Sequence, residues 1–307
     1  MPILVANRFA VEEKIGEGTF GEVWRAIDRQ ASSLHHTVAL KIFRPLPTGI
    51  GDDGWDPVYR EVAAGLRMSA HPNVVRSWAL VETDFFGGQR TPCLVMDYVE
   101  GANLALWLAG QPLPGAGTIG PRLAVMSGLL QGIAHAHANG VAHQDISFGN
   151  VLVRHSDPPD ALLTDFGCAQ SADAERGPGE QDEDAQMLQP INPPPYSLHQ
   201  PLGESARRDV YAFGTLCYLA LVGRHPLSDE WQTMRTGQWK GPSSPHQTLE
   251  RRRLADLAPW VRTSPEMVAI SDLLLRCVAA EPAQRPASGV VARSEWTALM
   301  LSCHLRR

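Results

Sequence analysis

The segment His143-Gln144-Asp145-Ile146-Ser147-Phe148-Gly149-Asn150, followed by Asp165-Phe166-Gly167, gathers an Asp, an Asn and a second Asp within one short stretch. A carboxylate can orient a hydroxyl for attack, and an amide with a second carboxylate offers hard oxygen ligands to a divalent cation. These are the side chains that phosphoryl transfer from a magnesium nucleotide requires.

Two upstream segments could hold the nucleotide. Ile15-Gly16-Glu17-Gly18-Thr19-Phe20-Gly21-Glu22-Val23 lies between two strand patterns. Glycines let a backbone approach phosphates and present N–H groups to them. Taken alone, the pattern also fits an ordinary glycine hairpin. Its strand–loop–strand setting excludes the dinucleotide fingerprint, which leads from a strand into a helix. Val38-Ala39-Leu40-Lys41 places a lysine in an apolar strand, where it could bind α- and β-phosphates if a carboxylate held it. Glu61, the only acidic residue between Pro57 and Leu80, is the candidate partner.

The elements that must carry these groups follow from periodicity. Phe9 to Ile15, Glu22 to Asp28, Thr37 to Phe43, Val74 to Glu82 and Thr91 to Tyr98 read as strands, and Tyr59 to Ser69 as a helix. After Gly101 the pattern turns helical, with Leu123, Met126, Leu130 and Ile133 at three- and four-residue spacing. Asp209 is expected to open an apolar helix that Gly223 closes, and Ser264-Pro265 to start another. A last helix is expected from Ser294 to Leu305.

Composition narrows the class. The 307 residues are 44% hydrophobic and 20% charged, as in an ordinary globular protein. A net charge of −6 gives no global basic field for nucleic acid or an acidic membrane. Arg251-Arg252-Arg253 reads as a solvated face. Five cysteines with no CxxC spacing suit a reducing compartment. No signal peptide pattern and no 18-residue apolar stretch occurs, so a soluble, cytoplasmic protein is expected.

In this order, and with Arg208-Asp209-Val210-Tyr211-Ala212-Phe213-Gly214 and Cys277 to Pro286 downstream, the motifs resemble those of the eukaryotic-type (Hanks-type) serine/threonine protein kinases from about Phe9 to Ala292. The resemblance implies an α+β, bilobal fold: a small antiparallel sheet lobe over 1–99, a mainly helical lobe over 100–307, and ATP in the cleft between them. It implies that Lys41, held by Glu61, anchors phosphates, that Asn150 and Asp165 hold Mg2+ (or Mn2+), and that Asp145 orients a Ser or Thr hydroxyl of a protein substrate. It places the glycine segment from Ile15 to Gly21 over the phosphates, and Val23, Ala39 and Leu152 around adenine. Met96 resembles a gatekeeper, Asp97, Tyr98 and Val99 a hinge, and Asn103 a ribose contact. Asp209 would hold the catalytic-loop backbone, and His143 and Phe166 would stack behind the site. The Ala-, Pro- and Arg-rich composition has a bacterial look.

The chain departs from that family at several points. Gln144 replaces the Arg that pairs with a phosphorylated activation loop, and 165–195 offers Ser171 but no Thr, so loop phosphorylation is not the expected switch. Ser147 replaces the Lys that neutralises the transferring phosphoryl group. Tyr196-Ser197-Leu198-His199-Gln200 stands in place of the Ala-Pro-Glu motif, which deprives Arg285 of its usual Glu; Glu204 is the replacement considered. Cys168 reads as a plain buried thiol, and His135 with His137 as a poor metal pair. Two other classes share parts of the pattern: small-molecule phosphotransferases of the aminoglycoside-kinase type, and pseudokinases that bind nucleotide without turnover.

Overall fold

Period-two alternation over the first hundred residues becomes one six-stranded antiparallel sheet. The computed structural model describes residues 3–18, 21–30, 36–45, 56–68, 71–87, 90–167, 170–171, 202–227 and 250–304. Within these, the sheet comprises β1 (Leu4–Val5), β2 (Phe9–Gly18), β3 (Gly21–Asp28), β4 (His36–Phe43), β5 (Ser77–Thr83) and β6 (Thr91–Asp97), in the order β1-β2-β3-β4-β6-β5. β4 shows how the sheet is held. Val38, Leu40 and Ile42 enter a core with Phe9, Ala26, Cys93 and Val95. Ala39, Lys41 and Phe43 alternate onto the other face. Each buried aliphatic side chain contributes about 1.5–3 kcal/mol.

Helix α1 (Asp56–Met68) buries Val58, Val62 and Met68 at helical spacing. It begins three residues ahead of the expected Tyr59, because a proline in the first turn lacks only an N–H that no helical bond needs there.

The chain divides into two compact units: residues 1–100 with 164–168, and residues 101–163 with 169–307. Thr164 to Gly167 thus group with the residues of the sheet. The second unit opens with a strand, β7 (Gly101–Asn103), before the helices α2 (Leu104–Ala109) and α3 (Ile119–Ala138). β7 pairs with β9 (Val151–Arg154), which pairs with β10 (Asp160–Leu163); β8 (Val141–Ala142) pairs with β11 (Gln170–Ser171). These short strands escape a periodicity reading because two to four residues carry too little pattern.

The helices α4 (Leu202–Val222), α5 (Leu254–Leu257), α6 (Pro265–Cys277) and α7 (Gly289–His304) complete the second unit. α4 corrects one expectation: Asp209 lies well inside it rather than at its start. The helix-compatible run Glu204 to Arg208 carries the helix back to Leu202. α4 buries Tyr211, Phe213 and Tyr218 completely. Arg122 of α3 ties the two central helices together, donating from Nη1 to Ala220 O and from Nη2 to Pro112 O, each at 2.6 Å. Burial lowers the pKa of this guanidinium. Ser264 caps α6 by accepting from Met267 N, with Pro265 in the first turn, as its sequence predicts. Among the described residues, no helix is long and apolar enough to cross a membrane.

Candidate active site

In the first unit, β4 positions Lys41. Its register places Val23 opposite Lys41 on β3 and Met96 opposite Ala39 on β6. Ala39, Lys41 and Met96 are all buried. The Lys41 Nζ donates to Asp165 Oδ1 at 2.8 Å, joining residues 124 positions apart. Asp165 itself has φ 63°, a left-handed conformation that Asp tolerates better than most residues. Its Oδ1 also accepts the Gly167 N–H at 3.2 Å, which fixes the carboxylate against its own turn. Phe166 beside it is buried. Glu61 lies on α1, but its side chain falls outside the described residues, as do Thr19, Phe20, Cys168 and 172–201.

The glycine segment is the end of the β2–β3 hairpin. Ile15 is the extra residue of a β-bulge between the Lys14↔Trp24 and Gly16↔Val23 pairs, and it is exposed. The glycines differ in what they require. A Cβ at Gly21 would run into the carbonyl oxygen of Ile42, so this glycine serves the close approach of β3 to β4. A Cβ at Gly18 would meet nothing within 4 Å, so its bareness serves no internal contact. Glu17 is pinned by Lys14 at 2.8 Å and by Arg44. The hydrogen bond from Lys14, and after it that from Arg44, holds the Glu17 carboxyl below its usual range.

At the end of β6, Met96 leads into Asp97, Tyr98 and Val99. Asp97 Oδ1 accepts from the Trp78 indole at 2.6 Å, and Tyr98 sits beneath Arg25, whose guanidinium carbon is 5.4 Å from the ring centroid.

In the second unit, the loop after β8 hangs from α4. Asp209, buried to 1% exposure, accepts His143 N at 2.6 Å on Oδ2 and Gln144 N at 2.7 Å on Oδ1. Gln144 has φ 65°, so the anchored amides belong to a strained turn. His143 is buried, and its Nδ1 accepts the Asp145 N–H at 3.3 Å. Asn150 Nδ2 donates to both the backbone oxygen and Oδ2 of Asp145, each at 2.8 Å. Ser147 stands between them, half-buried.

Two residues carry duties that the motif reading does not assign. His137 of α3 lies 2.9 Å from Asp209 Oδ2 through Nε2, while its Nδ1 accepts the Gly289 N–H at 2.7 Å. The Nδ1 bond places the ring proton on Nε2, so neutral His137 is a donor to Asp209. Asn103 is the N-cap of α2, its Oδ1 accepting Leu106 N at 2.9 Å. Leu152 lies on β9 opposite Asn103.

Arg285 corrects another expectation. Its Nε, Nη1 and Nη2 donate to the carbonyls of Ala279, Arg207 and Ala280, at 2.9, 3.3 and 3.0 Å, and its guanidinium lies 4.6 Å from the Tyr211 ring centroid. Glu204 is exposed and is not among these partners. A planar fork can satisfy several carbonyls at once where a point charge could not.

A family model described as "Protein kinase domain" matches residues 9–297. Serine/threonine-protein kinase pkn3 of Myxococcus xanthus is 29% identical over 306 residues, covering 96% of this chain and 50% of that protein. Serine/threonine-protein kinase PkaA of Streptomyces coelicolor is 29% identical over 304 residues, covering 94% and 49%. CBL-interacting protein kinase 25 of Oryza sativa is 29% identical over 282 residues, covering 87% and 51%. The chain spans about half the length of these three relatives.

Proposed function

Because the chain belongs to the protein kinase domain family, we propose that it transfers the γ-phosphoryl group of ATP to serine or threonine hydroxyls of protein substrates. The observation that carries this is the 2.8 Å bond between Lys41 and Asp165. It joins, across 124 positions, the two side chains whose motifs imply phosphate and metal binding.

The donor set fits a nucleotide and its cation. Asn150 uses its amide hydrogens on Asp145, so Oδ1 is the atom that can take a cation, and a carboxylate such as Asp165 is a second hard oxygen ligand. Bound Mg-ATP supplies the transferable phosphoryl group and neutralises its charge. Magnesium is the metal proposed, with manganese able to replace it.

The chain's own residues do the rest. Asp145, held by Asn150 and by the loop that Asp209 anchors, orients the substrate hydroxyl and accepts its proton. Lys41 binds the α- and β-phosphates, with Glu61 as its carboxylate partner. The hairpin from Ile15 to Gly21 covers the phosphates with backbone N–H groups. Val23, Ala39 and Leu152 flank adenine, Met96 to Val99 bind its edge, and Asn103 approaches the ribose. Gln144 brings no guanidinium to a phosphorylated loop, so the proposed enzyme is not switched on in that way. The net charge of −6 supports a protein substrate over nucleic acid, and the cysteine pattern supports a reducing, cytoplasmic location.

The test is incubation with labelled ATP, magnesium and a generic protein substrate, beside Asp145→Asn and Lys41→Met. Label on protein that both variants abolish is the expected result. Transfer only to small molecules, or nucleotide-dependent thermal stabilisation without transfer, overturns it.

A further inference from the structure

The paired strands β5 and β6 carry, near the end of β6 at Asp97, a feature with no packing purpose in the core. β5 pairs Ser77 with Met96 and Ala79 with Val95, so Trp78 is the extra residue of a β-bulge. A bulge re-aims the side chain it carries. Here the indole is 45% exposed, lies outside the sheet's core cluster, and donates Nε1–H to Asp97 Oδ1 at 2.6 Å. The ring is itself held. The Arg76 guanidinium lies 3.9 Å from its centroid, and His36 meets it edge-on at 5.8 Å and 80°. The Asp97 N–H donates to Arg76 O at 2.9 Å. Asp97 is therefore fastened at its backbone by Arg76, just before β5, and at its side chain by Trp78, the second residue of β5. The ladder of β6 stops at Asp97, so nothing further along that strand sets the conformation of Tyr98 and Val99.

We propose that Trp78 is a positioning residue for nucleotide binding: its bond to Asp97 presets the backbone of residues 97–99 that meets the adenine edge. This rests on the reading of Met96 to Val99 as the adenine-binding segment. The bond is charge-assisted and so stronger than a neutral one. Without it, part of the nucleotide's binding energy goes into ordering the segment. The effect falls on affinity and leaves the chemical step alone, because neither Trp78 nor Asp97 is among the residues assigned to phosphoryl transfer.

The full chain is assayed for the KM of Mg-ATP, for kcat on a generic protein substrate, and for equilibrium binding of Mg-ADP. Trp78→Phe keeps an aromatic ring and removes the donor. It is expected to raise both the KM for ATP and the Kd for ADP about three- to tenfold, with kcat within about twofold of wild type. Asp97→Ala should give the same rise, and adding Trp78→Phe to it should give no more. Unchanged KM and Kd in Trp78→Phe, a fall in kcat alone, or full additivity in the double variant overturns the inference. Should Trp78→Phe not fold, Asp97→Ala decides: a rise supports the role and wild-type affinity refutes it. Wild-type protein that binds no nucleotide removes the adenine-segment reading and this inference together. Wild-type protein that binds while Trp78→Phe matches it removes this inference alone.

Discussion

Asn150 gives its side-chain amide to Asp145 twice, at the backbone oxygen and at Oδ2, each at 2.8 Å. One residue thus fixes both the position of the Asp145 carboxylate and the direction of its own carbonyl oxygen. Asn150→Ala removes both at once. We expect kcat to fall by about a hundredfold or more, while the melting temperature moves little, since the two bonds together contribute only about 1–2 kcal/mol net. Paired turnover and thermal-melt measurements check this; a fall in stability as large as the fall in activity would refute it.

Gly21 and Gly18 separate folding from function. A side chain at Gly21 must displace the Ile42 carbonyl, so Gly21→Ala should destabilise the protein by about 1–3 kcal/mol. Gly18→Ala meets no neighbouring atom and should leave the denaturation midpoint near wild type, yet raise the KM for ATP by occupying the space through which phosphates approach. Denaturant titration beside ATP kinetics distinguishes the two.

In the proposed enzyme Ser147 brings no cation to the transferring phosphoryl group. Ser147→Lys should therefore increase kcat by about tenfold or more, the scale of a single electrostatic stabiliser. The KM for the protein substrate is the control. An unchanged kcat means that charge neutralisation is not what limits this enzyme.

Acid stability carries a signature of Arg8 and Asp28. Arg8 donates to both oxygens of the buried Asp28 carboxylate, and this hydrogen bonding, ahead of any other cause, holds the carboxyl below its usual range. A depressed folded-state pKa gives stability that is complete above the unfolded value of about 3.9 and is lost as pH falls through the folded value. Arg8→Met should thus be less stable than wild type at pH 7, by about 1 kcal/mol given the solvent screening of the half-exposed guanidinium. The difference should start to narrow only below about pH 4, as pH falls towards the folded-state value. Urea titrations of both proteins from pH 3 to pH 7 measure it.

What was legible in the sequence follows signal strength. β2, β3, β4 and α3 are long and periodic, and they lie where alternation and helical spacing put them. Asp145, Asn150 and Asp165 stand out in the sequence because the proposed chemistry demands those types at that spacing. Short strands such as β7 and β9 were not, nor was the true start of α4, since polar residues form good helix and hide the boundary. His137 illustrates the larger limit. Its sequence neighbours mark it only as a histidine on a buried helix, and its partner Asp209 lies 72 residues away. Trp78 is similar: a bulge is a property of two strands, and no single strand announces it. Arg285 is legible as a motif residue, but the carbonyls it serves carry no side-chain signature.

Asp209 joins a loop to the interior of α4 through the amides of His143 and Gln144. Loops are ordinarily the first segments to open, exchanging their amide hydrogens through local fluctuations. These two amides cannot open that way without stripping a buried carboxylate of its donors. The loop of His143 and Gln144 therefore belongs to the slowest-exchanging part of the second unit. On heating, it should lose its arrangement together with α4, so that inactivation and melting of that unit are one event rather than two.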